Sequence, residues 1–113
     1  MAESSEGWFL PASDAFLEQW GISDAAQRAW IGPRLTDFPF RCQMEPTEFD
    51  PGPLDRVRKV YVAHTSAPLP SLDVFASAAL AAGWETHELA SGHDMMLAAP
   101  DATADVLERI ALR

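Results

Sequence analysis

Apolar residues recur at helical spacing in four segments of the chain and form short continuous runs in two others. In the first part, "SDAFLEQWG" and "SDAAQRAWIGP" each predict a short helix, with Ser13 and Ser23 as the N-caps. The helical patterns end at Gly21 and Gly32, because glycine favours helix termination. The aromatic residues of the two helices are expected to form their inner faces: Phe16, Trp20 and Trp30.

The second part of the chain alternates strand and helix patterns more regularly. The run "KVYVAH" predicts a strand over residues 59–64, and "WETHEL" predicts a second strand. Between them, "SLDVFASAALAAG" predicts a helix with Ser71 as N-cap and Gly83 at its end. A final helix is expected to begin near Pro100. A strand–helix–strand unit of this length predicts parallel neighbours joined by a right-handed crossover.

These patterns predict an α/β fold of two parallel strands with flanking helices, preceded by short helices. The pattern changes near Asp50, which divides the chain into a helical segment, 1–50, and an α/β segment, 51–113. The proline-rich residues 39–55 are expected to run as an extended strap. Parallel sheets normally hold more than two strands, so either the N-terminal half covers this sheet or another chain supplies its missing strands.

Composition limits the classes of partner and compartment. At 113 residues the chain forms at most one domain, and its 48% hydrophobic content predicts a folded protein. Because 17 acidic residues outnumber 8 basic ones, we expect no nucleic-acid partner. Cys42 is the sole cysteine, which suits a cytoplasmic location. The polar N-terminus, with Trp8 after it, and the lack of long apolar runs predict no export and no membrane span.

Two residues are candidates for chemistry. His93 follows the small residues "ASG" after the second predicted strand, where an imidazole could exchange protons near neutral pH. Its alternative role is that of a surface-loop histidine. Asp73 is the nearest carboxylate after the first strand, although a carboxylate in the first turn of a helix is also favoured by the helix dipole alone. The histidines and Cys42 lack metal-ligand spacing, so no metal and no cofactor are expected.

Three stretches, "DAAQRAWIGPRLTDFPF", "RKVYVAHT" and "AAGWETHELASGHDMMLAAPDATADVLERIAL", together resemble the C-terminal part of α/β-hydrolase-fold proteins. The resemblance is strongest to the esterase and hydroxynitrile-lyase-like branch. Residues 8–50 resemble the end of the cap, and residues 56–112 resemble the last two sheet strands with their helices. The resemblance implies a partial α/β-hydrolase fold.

The resemblance also implies a role for each candidate residue. By its motif position His93 would be the general base of a Ser-His-Asp triad, and Asp73 would be the acid. The nucleophile elbow, G-x-S-x-G, is absent from the chain. We therefore expect the chain to be inactive alone and to need a complementing N-terminal hydrolase half, with which it would act on a small ester-type substrate.

Two other functions remain open at the level of sequence. The free edge of the first strand would suit a non-catalytic module that pairs with a partner or with itself as a homodimer. Alternatively, the chain is a truncated relic. The aromatic residues of its cap-like segment would then have no core to pack against and would leave apolar surface exposed.

Overall fold

A computed structural model describes residues 9–113, so the predictions for Trp8 and the polar N-terminus lie outside the described residues. The protein combines short helices with two small sheets. Two 3₁₀ turns, Gly32–Arg34 and Gly52–Arg56, lie between the main elements. In chain order these elements are β1 (Phe9–Leu10), α1 (Asp14–Gln19), α2 (Ala25–Ile31), β2 (Phe38–Pro39), α3 (Arg41–Met44), β3 (Val60–His64), α4 (Pro70–Ala81), β4 (Glu85–Leu89), α5 (Met95–Ala98) and α6 (Pro100–Ala111).

The two longer strands form a parallel pair, which confirms the predicted strand–helix–strand unit. Val60 of β3 pairs with Glu85 of β4, and His64 pairs with Leu89. Helix α4 makes the crossover between them and contacts both strands. The chain is thus a mixed helix and strand protein with a small parallel sheet of two strands, which is compatible with the α/β class.

Helix α4 begins two residues earlier than predicted. Pro70 is the first helical residue and Leu69 is the N-cap, so the prediction of Ser71 as N-cap is wrong. Proline suits the first helical position because it has no N–H to satisfy there. The Leu69 N–H is instead bound by the Asp73 carboxylate at 3.2 Å. At the other end Gly83 has a φ of +74°, the left-handed conformation expected after a helix.

The N-terminal helices also differ in detail from the sequence pattern. Asp24, and not Ser23, is the N-cap of α2, because its carboxylate accepts the Gln27 N–H at 2.8 Å. Ser13 is the N-cap of α1, as predicted. The expected inner position is wrong for Trp30, whose side chain is exposed and lies 4.4 Å from the Arg34 guanidinium. Phe16 and Trp20 stack with their ring centroids 5.6 Å apart.

The proline-rich strap has more regular structure than predicted. Phe38 and Pro39 form strand β2, which pairs antiparallel with β1. Residues 41–44 form helix α3, and a 3₁₀ turn follows at residues 52–56. All residues from 38 to 58 are exposed, so these elements lie at the surface.

The buried core is small for a chain of this length. The chain exposes 8650 Å² of accessible surface, whereas a compact protein of its 12.4 kDa mass exposes about 6100 Å². Large apolar side chains on α4 and α6, such as Phe75, Leu80 and Leu107, are more than half exposed. Among the described helices none is long and apolar enough to cross a membrane. The buried hydrophobic residues in the described part of the chain are Leu17, Ile22, Leu69, Ala79 and Val106.

Candidate active site

The carboxyl ends of the two parallel strands bring one carboxylate and two imidazoles together. His64 is the last residue of β3, Asp73 lies in the first turn of α4, and His93 follows β4 by four residues. Crevices at the carboxyl ends of parallel strands are where open α/β sheets place their binding sites. The three side chains therefore form a candidate site at this end of the sheet.

His64 occupies the middle of this group. Its Nε2 atom lies 3.4 Å from Oδ1 of Asp73, and its side chain is only 6% exposed. Its Nδ1 atom is buried and has no hydrogen-bond partner among the described residues. A buried imidazole nitrogen normally has a partner, since an unpaired polar atom costs about 1–3 kcal/mol. This unpaired nitrogen marks His64 as a functional candidate.

His93 is the aromatic neighbour of His64. The two imidazole centroids are 5.6 Å apart, with an angle of 68° between the rings. No hydrogen bond or ion pair joins Asp73 to His93 in the part of the chain that the structure describes. The catalytic roles of His93 and Asp73 thus stay predictions, and their closest link in the structure runs through His64.

Asp73 uses its two oxygen atoms for different contacts. Oδ2 accepts the Leu69 N–H at the start of α4, while Oδ1 faces His64. The side chain is 47% exposed, so solvent screens its charge. The geometry of Asp73 is therefore compatible with stabilising the start of α4. It is equally compatible with an interaction with an imidazole.

The loop before His93 is held tightly by the turn between α1 and α2. Gly21 in that turn has a φ of +81°, and its Cα lies within 2.9 Å of where a Cβ on Gly92 would be. The same hypothetical Cβ would lie 2.6 Å from the Trp20 carbonyl oxygen. A residue with a side chain would therefore clash with backbone at position 92. Helix α2 is also fixed to this region, because the Gln27 side-chain amide donates to the Leu97 carbonyl at 3.0 Å.

Ser91, two residues before His93, is not presented as a nucleophile. Its side chain is buried, and its hydroxyl donates to the Gly92 carbonyl at 2.7 Å. Its own carbonyl accepts the Ser66 N–H at 3.0 Å, which joins the loops that follow the two strands. Ser91 is thus a structural residue of the loop.

A second charged cluster lies at the opposite end of the sheet. The Glu85 carboxylate accepts hydrogen bonds from Arg58 and contacts His87 Nε2 at 2.7 Å. The Arg58 guanidinium, and then His87, lower the pKa of Glu85 from its ordinary value of 4.5. His87 is a partly buried residue of β4. This cluster ties the segment before β3 to β4.

Metal-ligating residues do not converge in the described chain. Across residues 9–113 no group of three or more His, Cys, Asp or Glu side chains has an arrangement that could hold a metal ion. Cys42 is free and exposed on α3.

Comparison with known proteins gives no match: no family model, no curated protein and no solved structure is similar to this chain. The site must be interpreted from its own geometry.

His64 is the site residue that sequence reasoning missed. The sequence does contain a signal for it, because His64 ends a strand and Asp73 opens the crossover helix that follows. In a strand–helix–strand unit the end of the first strand and the start of the helix lie at the same edge of the sheet. The two residues could therefore have been paired from topology alone.

Proposed function

We propose that this chain is the C-terminal segment of an α/β-hydrolase-type protein and supplies the acid–base side of an ester-hydrolysing site. The observation that supports the proposal is the row of Asp73, His64 and His93 at the carboxyl ends of two parallel strands. The resemblance of the segment around His93 to the esterase and hydroxynitrile-lyase-like branch supports the same function.

In this proposal His93 is the general base. The side chain of His64 is only 6% exposed and its Nε2 atom already faces Asp73, so we assign His93 as the imidazole that an incoming nucleophile reaches. His93 takes the proton of a serine hydroxyl while the serine oxygen attacks the ester carbonyl, and then returns the proton to the leaving alcohol. An imidazolium forms on His93 between these two proton transfers.

Asp73 and His64 support the general base, His93, in this proposal. If the Asp73 carboxylate accepts a hydrogen bond from the Nε2–H group of His64, the Nδ1 atom of His64 carries the lone pair. His64 in turn lies edge-on to the His93 ring, with the two ring centroids 5.6 Å apart. Their role is to hold and stabilise the base, as the acid of a triad does.

The nucleophile comes from another polypeptide in this proposal. The chain contains no G-x-S-x-G sequence, and the hydroxyl of Ser91, the serine nearest to His93 in sequence, is buried and bonded to Gly92. The chain alone is therefore not an esterase. Its substrate is a small ester, and the reaction needs no cofactor.

A complementation assay tests this function. The chain is mixed with an N-terminal half of an esterase of the same branch, which carries the nucleophile serine but ends before its last two strands. We expect the mixture to hydrolyse 4-nitrophenyl acetate and to label the added serine with a fluorophosphonate. Both signals should disappear with His93→Ala and persist with His87→Ala, a histidine in the middle of β4 whose side chain contacts Glu85. Stable association of the halves without activity would overturn the proposal.

A second candidate function is a non-catalytic module that acts by association. It is favoured by a specific observation, namely that the accessible surface is much larger than a compact chain of this mass needs. Several large apolar side chains, such as Phe75, Leu80 and Leu107, are more than half exposed, and exposed apolar patches typically bind a partner or cause aggregation.

A further inference from the structure

Strand β3 has one edge that no described residue covers. The Lys59 carbonyl accepts the Glu85 N–H, and the Thr65 N–H donates to the Leu89 carbonyl, so the odd-numbered residues of β3 face β4. The backbone groups of Val60, Val62 and His64 consequently face the opposite edge. Within residues 9–113 no other segment forms a backbone hydrogen bond with them. Three N–H and three C=O groups are available there for a further strand.

The segment that carries this edge is nearly free of charge. Residues 60–84 span β3 and α4 and contain a single Asp, Glu, Lys or Arg, which is Asp73, although such residues make up 22% of the chain. Strand edges that face solvent are usually protected by lysine, proline or a bulge. The strand "VYVAH" has no proline and no charged residue of these types. Depletion of charge is instead typical of the centre of a protein interface.

An apolar groove borders the free edge. It has a volume of about 430 Å³ and lies between α4 and β3, with no residue of β4 in its wall. A separate groove lies on the other flank of α4, and its wall includes Leu80 and three residues of β4. Phe75 therefore lies on the side of α4 near β3, and Leu80 lies on the side near β4. The wall of the first groove is formed by Tyr61, Phe75, Ala78, Ala79, Ala82 and Trp84.

The exposed area is sufficient for a stable dimer. The chain exposes roughly 2500 Å² more than a compact protein of its mass. A standard protein interface buries about 800 Å² on each partner. Association through one face would therefore account for part of this excess.

We propose that a second copy of this chain pairs with the free edge of β3. The two strands run antiparallel about a twofold axis at Val62, with Val60 of each copy opposite His64 of the other. All the free backbone groups of β3 are then paired in a continuous sheet of four strands. The second copy is the partner of the non-catalytic module, the second candidate function above. This proposal rests on that function and does not depend on the hydrolase function.

The geometry of this arrangement suits the sequence of α4. Each α4 covers its own pair of strands, and both helices lie on the same face of the joined sheet. With strands about 4.8 Å apart, the two helix axes would be about 10 Å apart, which is a normal helix packing distance. The facing flanks carry Phe75, Ala78 and Ala82. These flanks would close the apolar groove of each copy.

Charge also favours a second copy at this edge. The net charge of −9 would oppose self-association if the acidic residues lay at the contact. Only one of the 17 acidic residues lies in the segment 60–84, so most of the repulsion acts between distant faces. A complementing hydrolase half would need the same edge and would have to displace the second copy.

Native mass measurement over a dilution series tests the proposal. We expect a species of twice 12.4 kDa. Phe75→Glu should weaken the dimer at least about tenfold, because it buries an unpaired carboxylate in the contact. Leu80→Glu is the matched control on the other flank of α4, where the native side chain is 67% exposed, and should leave the dimer intact. A monomer at every concentration, or equal effects of the two substitutions, would overturn the proposal.

A disulfide tests the register independently. In a Cys42→Ser background, Val62→Cys should oxidise to a crosslinked dimer, since directly opposed strand residues lie about 5.5 Å apart between Cα atoms. Thr86→Cys, on an exposed position of β4, should form no disulfide crosslink under the same oxidation. Crosslinking of the Thr86→Cys protein alone would show association at another edge and contradict the register.

Discussion

The Nε2 atom of His64 lies 3.4 Å from Oδ1 of Asp73, and this contact joins the end of β3 to the start of α4. It makes a buried imidazole the neighbour of a partly exposed carboxylate, and it leaves the Nδ1 atom of His64 unpaired. The His64 ring also lies edge-on to the ring of His93. The contact thus links the carboxylate to the proposed base through an intermediate ring.

Removing the Asp73 carboxylate should destabilise the fold more than removing a carboxylate from the first turn of another helix. Asp73→Ala deprives both His64 and the Leu69 N–H of a partner, so we expect a loss of about 1–3 kcal/mol in the free energy of unfolding. Asp101→Ala is the control, because Asp101 is likewise in the first turn of a helix. It should lose only the dipole contribution of about 0.3–1 kcal/mol. Urea denaturation measures both values, and equal losses would contradict a role for the His64 contact.

In the complemented enzyme, the three site residues should differ in their effects on kcat. His93→Ala should lower kcat by about 10³-fold or more, because the proton acceptor is lost. Asp73→Asn and His64→Gln should each lower kcat by about 10-fold to 10³-fold, with little change in KM, since they act on the base and not on the substrate. Initial rates with 4-nitrophenyl acetate measure this order. If His64→Gln had full activity, the proposed link through His64 would be wrong.

The close contact between Gly92 and the backbone of Trp20 should not tolerate a methyl group at position 92. Gly92→Ala places a Cβ 2.6 Å from the Trp20 carbonyl oxygen, so the backbone must shift, and we expect a loss of about 1–3 kcal/mol. Gly32→Ala is the control, because its Cβ would meet nothing within 4 Å and Gly32 has helical backbone angles. That substitution should be neutral or stabilise by up to about 1 kcal/mol. Thermal unfolding distinguishes the two, and similar shifts in Tm would refute the close approach.

Acid should remove the contribution of the Arg58–Glu85–His87 cluster. Arg58, and then His87, lower the pKa of Glu85 in the folded state below its ordinary value of 4.5. A lowered pKa contributes stability that is fully present above the ordinary value and is lost as the pH falls through the folded-state value. The difference in Tm between the native chain and Glu85→Gln should therefore be constant near neutral pH and shrink below about pH 4.5. A difference that grows on acidification would contradict this assignment.

Sequence pattern was sufficient for the strand–helix–strand unit and insufficient for the smaller features. The apolar run of β3 and the glycine at the end of α4 are strong local signals, and both strands and their helix were found. The pair of β1 and β2 could not be found, since two residues are too few to establish an alternating pattern. The N-cap of α4 was misplaced because the helix starts at Pro70 without a side-chain cap, and Asp73 accepts the Leu69 N–H instead.

The candidate site was predicted only in part, because local sequence patterns do not show which residues contact one another. His93 and Asp73 were identified from motif position and chain order, which carry no information on distances. His64 was considered only as a possible metal ligand, although the fold makes it the residue between the other two. The enclosure of Ser91 and the approach of Gly21 to Gly92 depend on contacts between distant parts of the chain, and local patterns do not contain them.

The approach of Gly21 to Gly92 limits how this protein can change its sequence. Most crowded contacts can be relieved by a second substitution that shortens the opposing side chain. Here both sides of the contact are already glycine, so neither side has an atom left to remove. Each position is therefore fixed by the other, and a chain that gained a side chain at either one would have to rebuild the turn between α1 and α2.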